Sequence, residues 1–217
     1  MNEYINLLNK DNKTEYLKRL YIEGINNNVP IIQDDSLWVV LAILKMKNAK
    51  KILEIGTAIG YSSLCFVSDD ESRFVDTIER NEEMYNQATS NIKEAGFEKN
   101  INVIFSDALE VDDNLLKKEY DVIFIDAAKA QYQKFFEKYV PFLKEDGIII
   151  TDNILFHGCV EQAIMKDDSG LSKNVKNMAK KLDNYNHYLQ TLDEYKTYYL
   201  NVGDGLAVTV KKNENNM

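Results

Sequence analysis

From Lys50 onward the chain alternates short apolar runs with longer amphipathic segments, and this alternation narrows the fold more than any other feature. KKILEIG, FVDTIE, INVIFSD, YDVIFIDA and GIIITDN are dominated by Ile, Val and Phe. Such runs read as strands buried on both faces, which requires helices on both sides of a parallel sheet. Segments such as NEEMYNQATSNIKEAGF, QYQKFFEKYVPFL and LSKNVKNMAKKLDNYNHYLQ supply the helices, and right-handed crossovers place them. TYYLNVG and GLAVTVKK then meet through Gly203-Asp204-Gly205, a spacing that predicts an antiparallel hairpin at the sheet edge. Upstream, Tyr16, Leu17, Leu20, Tyr21 and Ile25 recur at helical spacing, and Pro30 interrupts them. Asp34-Asp35-Ser36 then offer N-caps for LWVVLAILKMK. The expected architecture is α/β: a doubly wound, seven-stranded, mostly parallel sheet with an antiparallel C-terminal hairpin and an N-terminal helical layer. Residues 1–212 are assigned to one domain, with helices in 1–47 and the core in 50–212, and residues 213–217 to a polar tail.

Composition removes several alternatives. The chain has 217 residues, 45% of them hydrophobic, which is enough apolar material for a large core and excludes global disorder. No 18 apolar residues run together, so neither a transmembrane helix nor a membrane partner is expected. The start, MNEYINLLNKDNK, has no basic n-region followed by an apolar stretch, so no secretory signal is expected. Cys65 and Cys159 read as core thiols of a cytoplasmic protein, and two His with two Cys leave almost no ligands for a zinc site. A net charge of −9 argues against a surface that grips nucleic acid everywhere, while leaving room for a local basic patch.

In an open parallel sheet, ligands bind beyond the carboxyl ends of the strands. The first strand ends Glu54-Ile55-Gly56-Thr57-Ala58-Ile59-Gly60-Tyr61-Ser62, where two glycines allow a tight turn and close backbone approach. The spacing is G-x-x-x-G, so it is neither a dinucleotide fingerprint nor a P-loop, and a turn serving only the fold would look the same. Glu79 ends the second strand, roughly 20 residues past the glycines, where an acid can accept hydrogen bonds from both hydroxyls of a ribose. Asp107-Ala108 follow the third strand. Asp107 is placed to face an adenine amino group, to cap a following helix, or both. Asp126 and Asp152-Asn153 end the fourth and fifth strands, and three hard oxygen donors at neighbouring tips suit Mg²⁺ or a similar ion such as Mn²⁺. Lys129, one turn past Asp126, is a candidate general base. Helix-capping acids and a surface lysine would be the plain alternative.

EIGTAIGYS, TIE, SDA, FIDAAK and TDN, in that order and spacing, resemble the class I S-adenosylmethionine-dependent O-methyltransferases of the catechol and caffeoyl-CoA type, over nearly the whole chain. The resemblance implies a Rossmann-like fold and a site built from this chain's own residues. Ile32, Glu54, Gly56, Ser62, Glu79, Asp107, Ala108 and Asp126 would bind S-adenosylmethionine. Asp126, Asp152 and Asn153 would hold the metal, and Lys129 with Asp126 would be catalytic. VPI, DNILFHGCV, SKNVKNMAKKLDNYNHYL and VGDGLAV are most similar to bacterial tRNA 5-hydroxyuridine methyltransferases. The resemblance thus implies transfer to a 5-hydroxyuridine in a tRNA anticodon loop, or alternatively to a small catechol or hydroxycinnamoyl-CoA-like acceptor, and a homodimer. Lys173, Lys176, Lys180 and Lys181 stand where RNA-binding relatives carry more Arg; they keep the charge but lose its bidentate forks. A nicotinamide dehydrogenase would share the sheet, but the G-x-G-x-x-G turn is missing and no His or Tyr-Lys pair stands at a strand tip. A non-catalytic domain would have little use for the oxygen trio and Lys129.

Overall fold

Seven strands form one sheet in the order β3-β2-β1-β4-β5-β7-β6. The computed structural model describes residues 3–9, 13–166 and 168–212, so the 213–217 tail lies outside the described residues. The five apolar runs become β1 Lys51–Ile55, β2 Phe74–Glu79, β3 Ile101–Phe105, β4 Tyr120–Ile125 and β5 Leu143–Thr151, all paired in parallel. β6 Tyr195–Leu200 and β7 Leu206–Lys211 form the hairpin, with β7 antiparallel to β5 and β6 at the edge. Chain order reverses between β1 and β4, which is where an open sheet of this kind leaves a crevice.

Side-chain alternation sorts the strands between two cores. Leu53, Ile55, Ile123 and Ile125 face one, while Ile52, Val122 and Phe124 face the other. The first core is closed by α6 (Tyr132–Tyr139) and α8 (Lys173–Gln190); the second by α2 (Glu15–Asn26), α3 (Asp34–Met46) and α4 (Tyr61–Asp69). α1 (Glu3–Asn9) precedes them, and α5 (Glu82–Ala95) lies between β2 and β3 in the chain. β4 is buried at every position, which is why its sequence is apolar without a break. Among the described residues, no helix is long and apolar enough to cross a membrane.

Helix ends follow local chemistry. Thr14, Asn81 and Ser172 cap α2, α5 and α8 by accepting N–H bonds from the residue three positions on. At α3 the structure corrects the expected cap. Gln33 is the cap position, and Asp34 and Asp35 lie in the first turn, where acids favour the positive end of the helix dipole. Asp107 starts no helix either: its carboxylate accepts from Leu109 N at 2.9 Å within a turn. α7 (Cys159–Met165) had no counterpart in the sequence reading. Of the two thiols, Cys65 is buried in α4, whereas Cys159 is only partly buried at the start of α7.

Candidate active site

The strand tips are held level by backbone bonds that continue the sheet past its last paired residues. Gly56 N donates to Ile78 O, Ser106 N to Glu79 O, Asp126 N to Ile55 O and Asp152 N to Ile125 O, at 2.9–3.1 Å. Gly56 makes this possible: its φ is +103°, and a Cβ there would stand 2.2 Å from the Asp126 carbonyl oxygen. Above these tips lies a cavity of about 450 Å³, within the size range of small-molecule sites.

One end of the cavity is walled by Gly56, Ala58, Ile78, Glu79, Asp107 and Ala108. Glu79 is fixed by three backbone donors: Ala58 N reaches Oε2 at 2.9 Å, and Arg80 N and Asn81 N reach Oε1 at 2.9 and 2.8 Å. Two carboxylate oxygens offer about four lone-pair positions, so capacity remains for a hydroxyl. Arg80 spans the rim to Asp107 at 3.3 Å. The other end is walled by Asp126, Ala127, Ala128, Lys129, Asn153 and His157.

Three residues assigned to the cofactor do not reach the wall. Ile32 is buried with Leu17 and Leu20, and its neighbours Pro30, Ile31 and Gln33 line the cavity instead. Glu54 is fully buried beneath the glycine turn, where Ser62 and Ser63 donate to its two oxygens and Thr77 Oγ1 donates at 2.6 Å. Ser62 is thereby committed to Glu54. Burial pushes the Glu54 carboxyl up to about 7, against the pull of its three hydroxyl donors. Glu54 and Ser62 thus tie β1, β2 and the first turn of α4 together from below.

Asp126 and Asn153 face each other across the wall, with Asn153 Nδ2 donating to Asp126 Oδ1 at 2.9 Å. Asp152 sits behind them, 2% exposed; its Oδ1 accepts from Asn153 N at 2.8 Å and from Ser36 Oγ at 3.3 Å. Burial pushes both carboxyls upward, the charge of Asp126 raises Asp152 further, and Lys129 opposes both shifts. Two acids held this close in a buried place are what a divalent cation relieves. Among the described residues no cluster of three His, Cys, Asp or Glu could hold a metal, so a third donor to an ion here would have to be an amide. Asn153 fits that role once its amide turns Oδ1 inward, a rotation that exchanges the positions of its oxygen and nitrogen. The donor set is hard oxygen throughout and suits Mg²⁺ or Mn²⁺.

Arg80, Gln33, Phe135 and His157 line the cavity without having been singled out from sequence. Arg80 adjoins Glu79, and its position carried a usable signal. His157 carried none, because it is placed by backbone geometry: Asn153, Phe156, His157 and Gly158 all have φ between +52° and +76°.

The strand order, the reversal between β1 and β4, and the acid-tipped cavity define the class: an α/β domain of the Rossmann-like methyltransferase kind. A family model described as O-methyltransferase matches residues 9–212. The caffeoyl-CoA O-methyltransferase of Stellaria longipes is 32% identical over 171 residues, 76% of this chain and 69% of that protein. Tapetum-specific methyltransferase 1 of Arabidopsis thaliana is 31% identical over 185 residues, 83% of this chain and 76% of that protein. A crystal structure from Staphylococcus aureus, provisionally named a caffeoyl-CoA O-methyltransferase, is 42% identical and superposes with a TM-score of 0.90 over 97% of this chain and 98% of that one. The Bacillus cereus O-methyltransferase in complex with SAH shares the fold, with a TM-score of 0.80 at 23% identity over 97% and 96% of the two chains. The chain belongs to the O-methyltransferase family and is a methyltransferase that uses S-adenosylmethionine.

Proposed function

We propose that the enzyme methylates one hydroxyl of a vicinal oxygen pair on a planar ring, with a divalent metal ion, and that the acceptor is a small catechol or hydroxycinnamoyl thioester. The observation that carries this reading is the meeting of Asp126, Asp152, Asn153 and Lys129 at the end of the cavity away from Glu79. The caffeoyl-CoA acceptor in the names of the relatives supports a small acceptor ahead of the tRNA expected from the sequence segments.

Glu79 and the Asp107-Ala108 turn would hold the adenosine end of the methyl donor, with Gly56 keeping the floor free of side chains. Asp126, Asp152 and Asn153 would hold the ion. A divalent ion, when bound, supplies Lewis acidity that favours the ionised form of a chelated hydroxyl. Methyl transfer is an in-line displacement, which asks the protein for alignment and for removal of one proton. Lys129, on the wall beside Asp126, is the group placed to take that proton. Ala127 and Ala128 leave room for a flat ring between it and the floor.

A second reading, a 5-hydroxyuridine of tRNA, has one observation in its favour. Lys173, Lys180 and Lys181 are exposed on α8, and among the described residues none of them has an ion-pair partner, whereas Lys176 pairs with Asp168 at 3.2 Å. 5-Hydroxyuracil also presents a vicinal pair, its 5-hydroxyl and 4-carbonyl. The test is methyl transfer to catechol, caffeoyl-CoA and 5-hydroxyuridine-containing tRNA, each with and without excess chelator. Turnover of the small acceptors that chelator abolishes and Mg²⁺ restores is expected. Full turnover in chelator would remove the metal from the account. Transfer confined to tRNA, with its KM raised when Lys173, Lys176 and Lys180 become Gln, would put the second reading first.

A further inference from the structure

Lys129 and the acids at the tip of β5 reach the cavity on different elements, so their separation has to be fixed by packing. Lys129 opens a 3₁₀ turn, Lys129–Gln131, that runs directly into α6, while Asp152 follows the last residue of β5. Tyr132, the first residue of α6, is bonded to both sides. Its backbone N–H donates to Lys129 O, and its phenol O–H donates to Asp152 O at 3.0 Å. The side chain is fully buried behind the cavity wall. Its ring meets that of Tyr185 from α8 edge-on, with centroids 5.5 Å apart and planes at 68°. Tyr185 OH in turn shares a 2.8 Å hydrogen bond with Thr151 Oγ1. Two buried phenols from two helices thus secure consecutive residues of one strand tip. Of the two, Tyr132 is the one that also holds Lys129.

Burial, with the charges of Asp126 and Asp152 nearby, pushes the Tyr132 phenol well above its ordinary value of 10, so the group stays protonated and remains a donor. The accepting carbonyl belongs to the peptide between Asp152 and Asn153. The same phenol therefore anchors the backbone of the tip, and the same residue's N–H anchors the turn that carries the lysine. We infer that Tyr132 is a positioning residue that sets the separation between Lys129 and an acceptor held at the Asp126, Asp152 and Asn153 tip, and touches neither acceptor nor methyl donor. The inference rests on the proposed function, in which Lys129 is the base. In that step the hydroxyl proton passes to the Lys129 amine and the freed oxygen takes the methyl group from the sulfonium, leaving S-adenosylhomocysteine. Alignment of the lysine with that proton is what Tyr132 supplies.

The experiment measures kcat and KM in the wild type, Tyr132→Phe, Lys129→Ala and the double variant, with Tyr185→Phe as the matched loss of a phenol from the same tip. The acceptor is whichever of catechol, caffeoyl-CoA and 5-hydroxyuridine-containing tRNA the wild type turns over fastest. Calorimetric S-adenosylmethionine affinity, Mn²⁺ affinity by electron paramagnetic resonance and melting temperature are measured on each variant. Tyr132→Phe should lower kcat by about tenfold, because misplacing a reacting group by about 1 Å can cost two decades. The tip keeps its own bonds, Asp152 N to Ile125 O and Asn153 N to Asp152 Oδ1, when the phenol is lost. KM and both affinities should therefore stay within about threefold, a margin under one decade. In the Lys129→Ala background, adding Tyr132→Phe should change the residual kcat by less than about twofold. Tyr185→Phe should lower the melting temperature as Tyr132→Phe does and keep kcat near that of the wild type. Unchanged kcat in Tyr132→Phe, an equal kcat loss in Tyr185→Phe, or an equal effect of Tyr132→Phe with and without Lys129 overturns the inference and leaves the proposed function standing. Full kcat in Lys129→Ala would remove the base from the proposed function and overturn this inference with it. If the wild type turns over none of the three acceptors, the vicinal-oxygen reading fails first.

Discussion

Glu54 shows how far a single residue could be read and where the reading stopped. The E-x-G pattern marks a strand end correctly, but whether the acid faces the ligand or the core depends on Ser62, Ser63 and Thr77 arriving from two other elements. Glu79, by contrast, was legible in place, because its cavity-facing position follows from where β2 ends. The buried position of Glu54 has a consequence for stability. Burial pushes its folded carboxyl up to about 7 from an ordinary value of 4.5. Below about pH 4.5 both folded and unfolded chains are protonated there, and the contribution is fully present. As pH rises towards 7 the unfolded chain releases the proton and the folded chain keeps it, so stability falls. The loss is of the order of 3 kcal/mol. Urea unfolding at pH 5 and pH 8 should show a smaller decline in Glu54→Gln than in the wild type, and an identical decline would mean that Glu54 is ionised in the folded protein at both pH values.

At the scale of elements, regular periodicity was readable and irregular backbone was not. The two-faced burial of β1 and β4, the hairpin β6–β7 and the lengths of α2, α5 and α8 all follow from apolar spacing, and cap residues Thr14, Asn81 and Ser172 mark their starts. The loop from Asn153 to Gly158 could not be read, because its left-handed residues are mostly non-glycine and are held by Asp204 from a distant turn. α4 could be placed at Tyr61 but its environment could not: Tyr61 through Val67 are all buried. Cys65 sits within that stretch, and burial pushes its thiol up to about 12. At pH 8 it should carry almost no thiolate, and it is only 3% exposed. A thiol-alkylating reagent should therefore modify Cys159 in the folded enzyme and Cys65 only after denaturation, as peptide mass mapping would show. Rapid labelling of Cys65 in the native protein would mean that α4 opens locally.

For the whole molecule, the fold was legible because a parallel sheet gathers the carboxyl ends of its strands on one edge. Reading five strand ends in order amounts to reading the wall of one cavity, and Gly56, Glu79, Asp107, Ala108, Asp126, Lys129 and Asn153 all line it. The acceptor was not legible in the same way. The rest of the cavity wall includes Gln33 from the N-terminal segment and His157 from an irregular loop, neither of which belongs to the repeating pattern of strand and helix. The proposed function requires that this cavity have a donor end built on Glu79 and a metal and acceptor end built on Asp126, Asp152 and Asn153. Calorimetric titration of S-adenosylmethionine in excess chelator, into wild type, Glu79→Ala and Asp152→Ala, tests that division most directly. Glu79→Ala removes an acceptor for two charge-assisted hydrogen bonds of roughly 1.5–3 kcal/mol each and should weaken binding at least about tenfold. Asp152→Ala should bind like the wild type, and the opposite pattern, or Glu79→Ala binding as tightly as the wild type, would contradict the account.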